Sequence, residues 1–382
     1  MPNRVVITGI GAINSIGVSA GEFWTNLLDG VSGAAPIGAQ HDVGLKQNVG
    51  CEVRKPFSTE GLPSMGRATQ LAIEAAKGAL HDSGLSAAAI EEADISIGTT
   101  MGEPEMIERE KASACIQADA ISSGVARFFN TKGNHMTWQT ACAAGNYAMH
   151  SGFSRIASGR GSVALVGGSD AFSKTAFIGF ARVGALSSDV CRPFDHNRKG
   201  LLLGEGSGML VLESFSHAQA RNAKIYAEVL GCGFSCDAFH ITQPHPKADG
   251  AVLAMNRAME QAHITPQDVD YISAHGTGTK FNDLSESIAV KRVFGDQPVP
   301  ISSIKALIGH TLGSASALEA IACCLALRDQ VIPPTWNYQE KDLDCDIDVV
   351  PNEPRPARLK TVISNSYAFG GSNSCLVLRQ FN

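Results

Sequence analysis

Twice in this chain a β-like run ends at a reactive side chain and is followed by a helix of small residues. In the first half the run leads into Gln139-Thr140-Ala141-Cys142-Ala143-Ala144-Gly145. In the second it leads to Lys305 and His310, then Gly313-Ser314-Ala315-Ser316-Ala317. Helices of small residues pack their backbones closely against neighbours. The echo is that of two similar halves meeting at one site and dividing near residue 240. On that division, residues 1–240 carry the cysteine, and residues 241–382 carry both histidines and a glycine-rich turn.

Strand and helix patterns alternate along the whole chain, which points to an α/β protein. Strands are expected at 4–8, 95–98, 162–167, 208–213, 226–231, 271–274, 299–304, 346–350, 361–365 and 375–379. Helices are expected at 68–82, 146–158, 251–263, 284–294 and 314–328. With 382 residues, 44% of them hydrophobic, the chain can bury a large core as two ordinary domains or one duplicated one.

A net charge of −6 and the lack of any Lys/Arg-rich run argue against a nucleic-acid binder. No apolar stretch approaches the ~18–20 residues of a membrane span. The start, Met1 to Gly9, runs directly into a strand pattern without the apolar core of a signal peptide. The expected location is therefore the cytoplasm, and the ten cysteines should be thiols. Cys232, Cys236 and His240 recur every four residues, as metal ligands on a helix face would. Their loop-like context and the lack of an obvious fourth ligand argue against a metal site.

Cysteine suits acyl transfer, because its thiolate is nucleophilic and a thioester stays activated. A helix starting at Cys142 should lower the thiol pKa through its dipole and offer backbone N–H groups to an oxyanion. His275 follows a strand and precedes Gly276-Thr277-Gly278-Thr279, while His310 lies between Gly309 and Thr311. Two neutral imidazoles converging on a thioester carbonyl could stabilise an enolate by donating hydrogen bonds. Lys305 and Glu319 read equally well as polar support for His310 or as a structural ion pair. The stretch Arg192 to Gly208 lacks a P-loop ending, so its Asp195, Arg198 and Glu205 should fix the loop internally. The turn Asn365 to Asn373 is polar and glycine-rich, allowing close approach of a ligand.

Taken together, these motifs resemble the β-ketoacyl-acyl-carrier-protein synthases of the thiolase-like superfamily, in the Cys-His-His elongating type. The resemblance rests on Val5 to Gly11, Thr140 to Gly145, Arg192 to Asp195, Gly204 to Gly206 and His275 to Thr279 with Asp283 and Glu286. It continues through Lys305 to Glu319 and Asn365 to Asn373. It implies a five-layered αβαβα fold of two similar halves, working as a homodimer or with a ketosynthase-like subunit. It also implies that Cys142 accepts an acyl chain from acyl carrier protein and that His275 and His310 assist decarboxylation of malonyl carrier protein. Lys305 then supports His310 with Glu319 as its partner, and the N–H groups of Cys142 and Phe369 form the oxyanion hole. Thr277 and Thr279 line the phosphopantetheine arm, and Phe369 is the gate. No metal or diffusible cofactor is expected, since phosphopantetheine arrives on the carrier.

This chain departs from the family pattern in several places. Arg198-Lys199-Gly200-Leu201 replaces an aromatic near the active site, and Ala368 precedes Phe369 where glycine is usual. The stretch between Thr100 and Gln139 is short, and Trp138 stands where a smaller residue is usual. These departures favour specialised metabolism, such as a polyene pathway, over housekeeping fatty acid synthesis. A non-catalytic chain-length-factor-like partner is the alternative, but it would generally lack the cysteine. A degradative thiolase needs a second catalytic cysteine in the C-terminal turn, and Cys375 falls beyond that turn. Arg67 and Lys132 are candidate contacts for an acidic carrier.

Overall fold

The computed structural model describes residues 2–57, 65–110 and 119–381. Five strands of the first half are β1 (Val5–Asn14), β2 (Asp94–Gly98), β3 (His135–Trp138), β4 (Val163–Asp170) and β5 (Gly206–Ser214). Five of the second are β6 (Ala227–Cys236), β7 (Tyr271–Ser273), β8 (Ile301–Ser302), β9 (Thr361–Tyr367) and β10 (Ser372–Gln380). The first set runs in the order β1-β5-β4-β2-β3 and the second in the order β6-β10-β9-β7-β8. Each set has two antiparallel pairings followed by two parallel ones. The two sets join edge to edge, where Val5–Ile7 of β1 pairs with Ala227–Val229 of β6. The fold is thus a duplication, as expected. The run at 346–350 forms no strand of its own and contributes one bridge, Val349 to Ile301.

Helices repeat with the strands. Helices α1 (Arg67–Ser83) and α4 (Asp249–Ala262) follow the first strand of each set, and α2 (Ala120–Phe129) and α5 (Lys280–Phe294) follow the second. Helices α3 (Ala144–Ala157) and α6 (Ala315–Asp329) follow the third. The pairs α1/α2 and α4/α5 cover the outer faces, where Ala72, Ala76 and Val125 pack on Ile95 and Ile97, and Ala258 and Ala289 pack on Ile272. Helices α3 and α6 lie between the two sets of strands, giving five layers. Central position explains the composition of α6: every residue from Ala315 to Leu327 is buried, so no polar face interrupts it. The strands follow the same logic, since β1 is buried along its whole length and reads as a nearly continuous apolar run.

The central layer is close-packed through small residues. A Cβ on Gly98 would lie 2.2 Å from the carbonyl carbon of Ala144, and one on Gly145 would lie 2.6 Å from Ser316 Oγ. Both central helices begin the same way, through a 3₁₀ turn, Ala141–Ala143 or Leu312–Ser314. Each turn opens on a non-glycine residue with positive φ, Ala141 at 48° and Leu312 at 57°. Such backbone is strained for a residue with a Cβ and persists only where packing enforces it. The matching turns correct one part of the sequence echo. Gly313, not His310, stands in the repeat where Cys142 stands.

Gly313 is locked in place by its neighbours. A Cβ there would lie 2.7 Å from both Thr100 N and Thr99 C and 2.8 Å from Asp170 Oδ2. Because two of those atoms are backbone, Gly313→Ala should destabilise the protein by about 1–3 kcal/mol. Its urea midpoint should fall with little change in slope; a wild-type midpoint would contradict this packing account.

Candidate active site

Cys142 sits in the 3₁₀ turn before α3 and is 5% exposed. Its Sγ lies 3.0 Å from His310 Nε2. His310 is held in an extended segment, its N–H donating to Leu202 O at 2.7 Å and its carbonyl accepting from Gly204 N at 3.0 Å. The N–H of Leu312 donates to His310 Nδ1 at 3.3 Å. A neutral imidazole that accepts at Nδ1 carries its proton at Nε2. His310 therefore presents an N–H to the sulfur.

His275 reaches the same place from the end of β7. Its backbone N–H and that of Gly276 donate to Glu286 at 2.9 and 2.8 Å, fixing the turn. The Lys305 ammonium donates to His275 O at 2.6 Å, lies 3.4 Å from His275 Nδ1 and pairs with Glu319. An ammonium has no acceptor, so His275 Nδ1 accepts and its Nε2 is protonated too. The two rings meet edge to face with centroids 5.3 Å apart. Lys305 thus contacts His275 directly and does not touch His310 through any hydrogen bond among the described residues. Burial first, and the Lys305 charge second, hold both imidazoles well below their ordinary pKa, so both are neutral.

The thiol differs from its sequence-based expectation. Burial pushes Cys142 up to about 12, against the lowering pull of Lys305 and of the Phe369 and Cys142 backbone N–H groups. Desolvation outweighs the helix start. The two N–H groups that bear on the sulfur are those expected to form the oxyanion hole.

Cys142, His275 and His310 lie at a cavity of about 400 Å³, which Thr277, Thr279 and Phe369 also line. The hydroxyls of Thr277 and Thr279 are 2.9 Å apart. Phe369 is partly exposed in the turn Phe369–Gly371, its ring 5.6 Å from Phe180, whose own ring is 6.4 Å from that of His310. Ala368 has φ −122° and ψ 153°, extended backbone that any residue adopts, so its Cβ adds no strain to the turn that carries Phe369. Leu201 lines the cavity, while Trp138 is not among the lining residues and packs against Tyr147 at 6.1 Å.

The Cys142 sulfur and one nitrogen from each histidine lie within 4.8 Å of one another, close enough to hold a metal ion. A metal-bound histidine donates outward from its other nitrogen. Here Nδ1 of both rings accepts, which leaves a proton on Nε2 and does not suit a metal ion. Cys232 and Cys236 fall on strand β6, one buried and one exposed, and form no ligand cluster with His240 among the described residues.

The stretch from Arg192 is fixed internally, as expected. Asp195 accepts from the backbone of Gln339 and Glu340 at 2.5 and 2.7 Å, and Arg198 is buried against Asp342. Glu205 accepts from Val53, Phe172 and Arg67. Arg67 is thereby committed inside the protein, and Lys132 pairs with Glu91, so neither lines the cavity. Sequence reasoning missed Asp170, which accepts from Thr99 Oγ1 at 2.7 Å and from Gly313 N at 2.7 Å, tying the halves together. It also missed Phe180, the aromatic ring between His310 and Phe369. The tenth cysteine, Cys115, and part of the short stretch after Thr100 lie outside the described residues.

Residues 2–218 match the family model "Beta-ketoacyl synthase, N-terminal domain", and residues 226–339 match "Beta-ketoacyl synthase, C-terminal domain". Nodulation protein E of Rhizobium meliloti (strain 1021) is 40% identical over 405 residues, covering 100% of both chains. The 3-oxoacyl-[acyl-carrier-protein] synthase 2 of Coxiella burnetii is 38% identical, covering 98% of each. Among solved structures, the ishigamide ketosynthase/chain length factor superposes with a TM-score of 0.96 at 44% identity over 100% of both chains. AntDE:AntF, a type II polyketide synthase acyl-carrier protein in complex with its ketosynthase bound to the hexaketide, gives 0.91 at 32% identity, again over 100% of both. With both family domains matched in order and full-length relatives at this identity, the chain belongs to the β-ketoacyl synthase family.

Proposed function

We propose that this protein is a 3-oxoacyl-[acyl-carrier-protein] synthase, an acyltransferase that lengthens a carrier-bound chain by decarboxylative Claisen condensation. The observation that carries the reading is the Cys142 sulfur 3.0 Å from an imidazole N–H, with a second neutral imidazole beside it at one cavity.

In the first half-reaction the Cys142 sulfur attacks the thioester carbonyl of an acyl carrier protein. The oxyanion is met by the N–H groups of Cys142 and Phe369. The carbon–sulfur bond to phosphopantetheine breaks, and the thiol proton ends on the departing pantetheine sulfur. In the second half-reaction the malonyl thioester oxygen accepts hydrogen bonds from His275 and His310. The bond to the carboxylate breaks, CO₂ leaves, and the enolate carbon attacks the acyl-Cys142 carbonyl. The new carbon–carbon bond expels Cys142 as thiolate, which takes up one proton. Lys305 keeps His275 neutral and oriented, with Glu319 balancing its charge. Thr277 and Thr279 line the path of the arm, which is the only prosthetic group the cycle uses.

The chemistry is divided between residues 1–240 and 241–382, although Ala227–Cys236 already pairs within the second set of strands. The protein works in the cytoplasm as a dimer, either of itself or with a ketosynthase-like subunit. Its setting is type II fatty acid or polyketide synthesis, with a polyene product favoured. Similarity to the ishigamide ketosynthase/chain length factor supports both the specialised setting and the paired assembly. A silent chain-length-factor role is disfavoured by the complete Cys142, His275 and His310 set.

Intact-mass analysis with saturated, polyenoyl and aryl-enoyl carriers should show one acyl group on wild type and none on Cys142→Ala. His275→Ala or His310→Ala should slow malonyl decarboxylation by about 10²–10³. Failure of every donor would remove the synthase reading. The raised thiol also sets a pH dependence. Its folded pKa lies above the ordinary thiol value, so the thiolate fraction is still growing where an exposed thiol has levelled off. Alkylation of Cys142 by iodoacetamide should rise roughly tenfold per unit from about pH 7.5 to about 9.5. A plateau below about pH 8.5 would mean a preformed thiolate instead.

A further inference from the structure

Cys142 is buried, so the cavity has to be filled from outside by a long, thin group. The chemistry of the rim therefore describes the body that presents that group. Val183 (51% exposed), Phe281 (64%) and Phe369 (40%) are large apolar side chains open to solvent, and all three line this one cavity. Ile241, 77% exposed, belongs to the same rim, because it adjoins the lining residue Thr242 and its carbonyl accepts the Gly370 N–H of the gate turn at 2.8 Å.

The fold does not use these side chains. Phe281 lies in the first turn of α5, where the buried residues begin only at Asp283, and Val183 caps the end of the helix Lys174–Arg182. Scattered exposed apolar residues need no explanation, but several gathered round one opening mark an interaction surface. The charged complement is small. Of the cations lining the cavity, Arg198 is bound to Asp342 and to the Asp195 carbonyl, which leaves Lys199 and Lys280, with exposed Arg182 beside Val183 at the rim.

We propose that Val183, Ile241 and Phe281 form an apolar collar onto which the carrier protein docks through its own apolar surface, with Lys199 and Lys280 serving the anionic arm and not the carrier body. This rests on the synthase reading above. A carrier is the fitting occupant because whatever covers this mouth must also feed the cavity, which a second copy of this chain would shut. The AntDE:AntF complex likewise pairs a ketosynthase with its acyl-carrier protein.

The test follows Cys142 acylation with one acyl chain presented either on a carrier protein or as a pantetheine thioester. In Phe281→Asp and Ile241→Asp, kcat/KM for the carrier donor should fall about tenfold or more relative to the pantetheine donor in the same variant. Phe281→Ala repeats the measurement without adding charge. Leu253→Asp, on the exposed face of α4, should leave the ratio at its wild-type value. Wild-type acylation by the carrier should change less than about threefold between 50 and 500 mM NaCl, because apolar burial is not screened by salt. Equal losses on both donors, an unchanged ratio, or a fall of more than about tenfold with salt would each overturn the collar. If wild type takes an acyl group from neither donor, the synthase reading fails and the collar with it. If it takes one from both while Phe281→Asp keeps the wild-type ratio, the collar alone fails.

Discussion

The structure depends on how closely its two central helices approach each other and the strands that flank them. Gly145 at the start of α3 faces Ser316 of α6, whose Oγ accepts the Asn146 N–H at 3.0 Å. Gly98 faces the carbonyl of Ala144. Without side chains at these points the helix starts from the two halves can lie nearly in contact. That contact brings the Cys142 turn within hydrogen-bonding distance of His310, which is 168 residues away in sequence. Duplication supplies two equivalent turns, but only one carries a cysteine. The other is occupied by Gly313, where Asp170 of the first half clamps the backbone of the second. The asymmetry of function is thus a matter of a few side chains on a symmetric frame.

From this frame follows the protonation pattern. Each histidine has its Nδ1 engaged from behind, by the Leu312 N–H or the Lys305 ammonium, and so each presents an N–H at Nε2. Lys305 is itself buried and would be costly alone. Glu319 offsets its charge, and Ser366 Oγ donates to Glu319 at 3.3 Å. The pair is structural in that Glu319 offsets a buried cation, and that cation, second to burial, helps to hold the His275 imidazole neutral.

Much of this was legible in the sequence, because motif and context coincide at the working residues. Glycine and threonine around His275, the small-residue helix after Cys142 and the glycine turn around Phe369 all show on the chain. Regular elements were legible wherever both faces are buried, since α6 and β1 read as mostly apolar runs, broken in α6 only by Ser316 and Glu319 before its last turn and in β1 by Thr8 and Asn14. The rest depends on long-range geometry. The partner of Lys305 was visible, but not that its ammonium meets His275 before His310. Arg67 looked like a free surface cation, yet Glu205, 138 residues away, holds it. Asp346–Val350 carries strand-forming residues but finds only a single bridge, because the two-residue strand Ile301–Ser302 offers so little length to pair with.

A thiol held near 12 looks ill suited to a nucleophile until the whole cycle is considered. Burial penalises charge, and the resting groups here are neutral: a thiol and two imidazoles. The acyl-cysteine that forms is also neutral, so the environment that disfavours the thiolate disfavours nothing about the intermediate. Low pKa would make thiolate abundant but less nucleophilic, since reactivity falls with basicity. In the proposed cycle the charges that must appear are the oxyanions, the enolate and the Cys142 thiolate that takes up a proton as it is expelled, and the oxyanions and enolate would arise where N–H groups already point. On the proposed cycle the resting thiol and imidazoles are kept uncharged and the donors are reserved for the transition states, which is where hydrogen bonds accelerate a reaction.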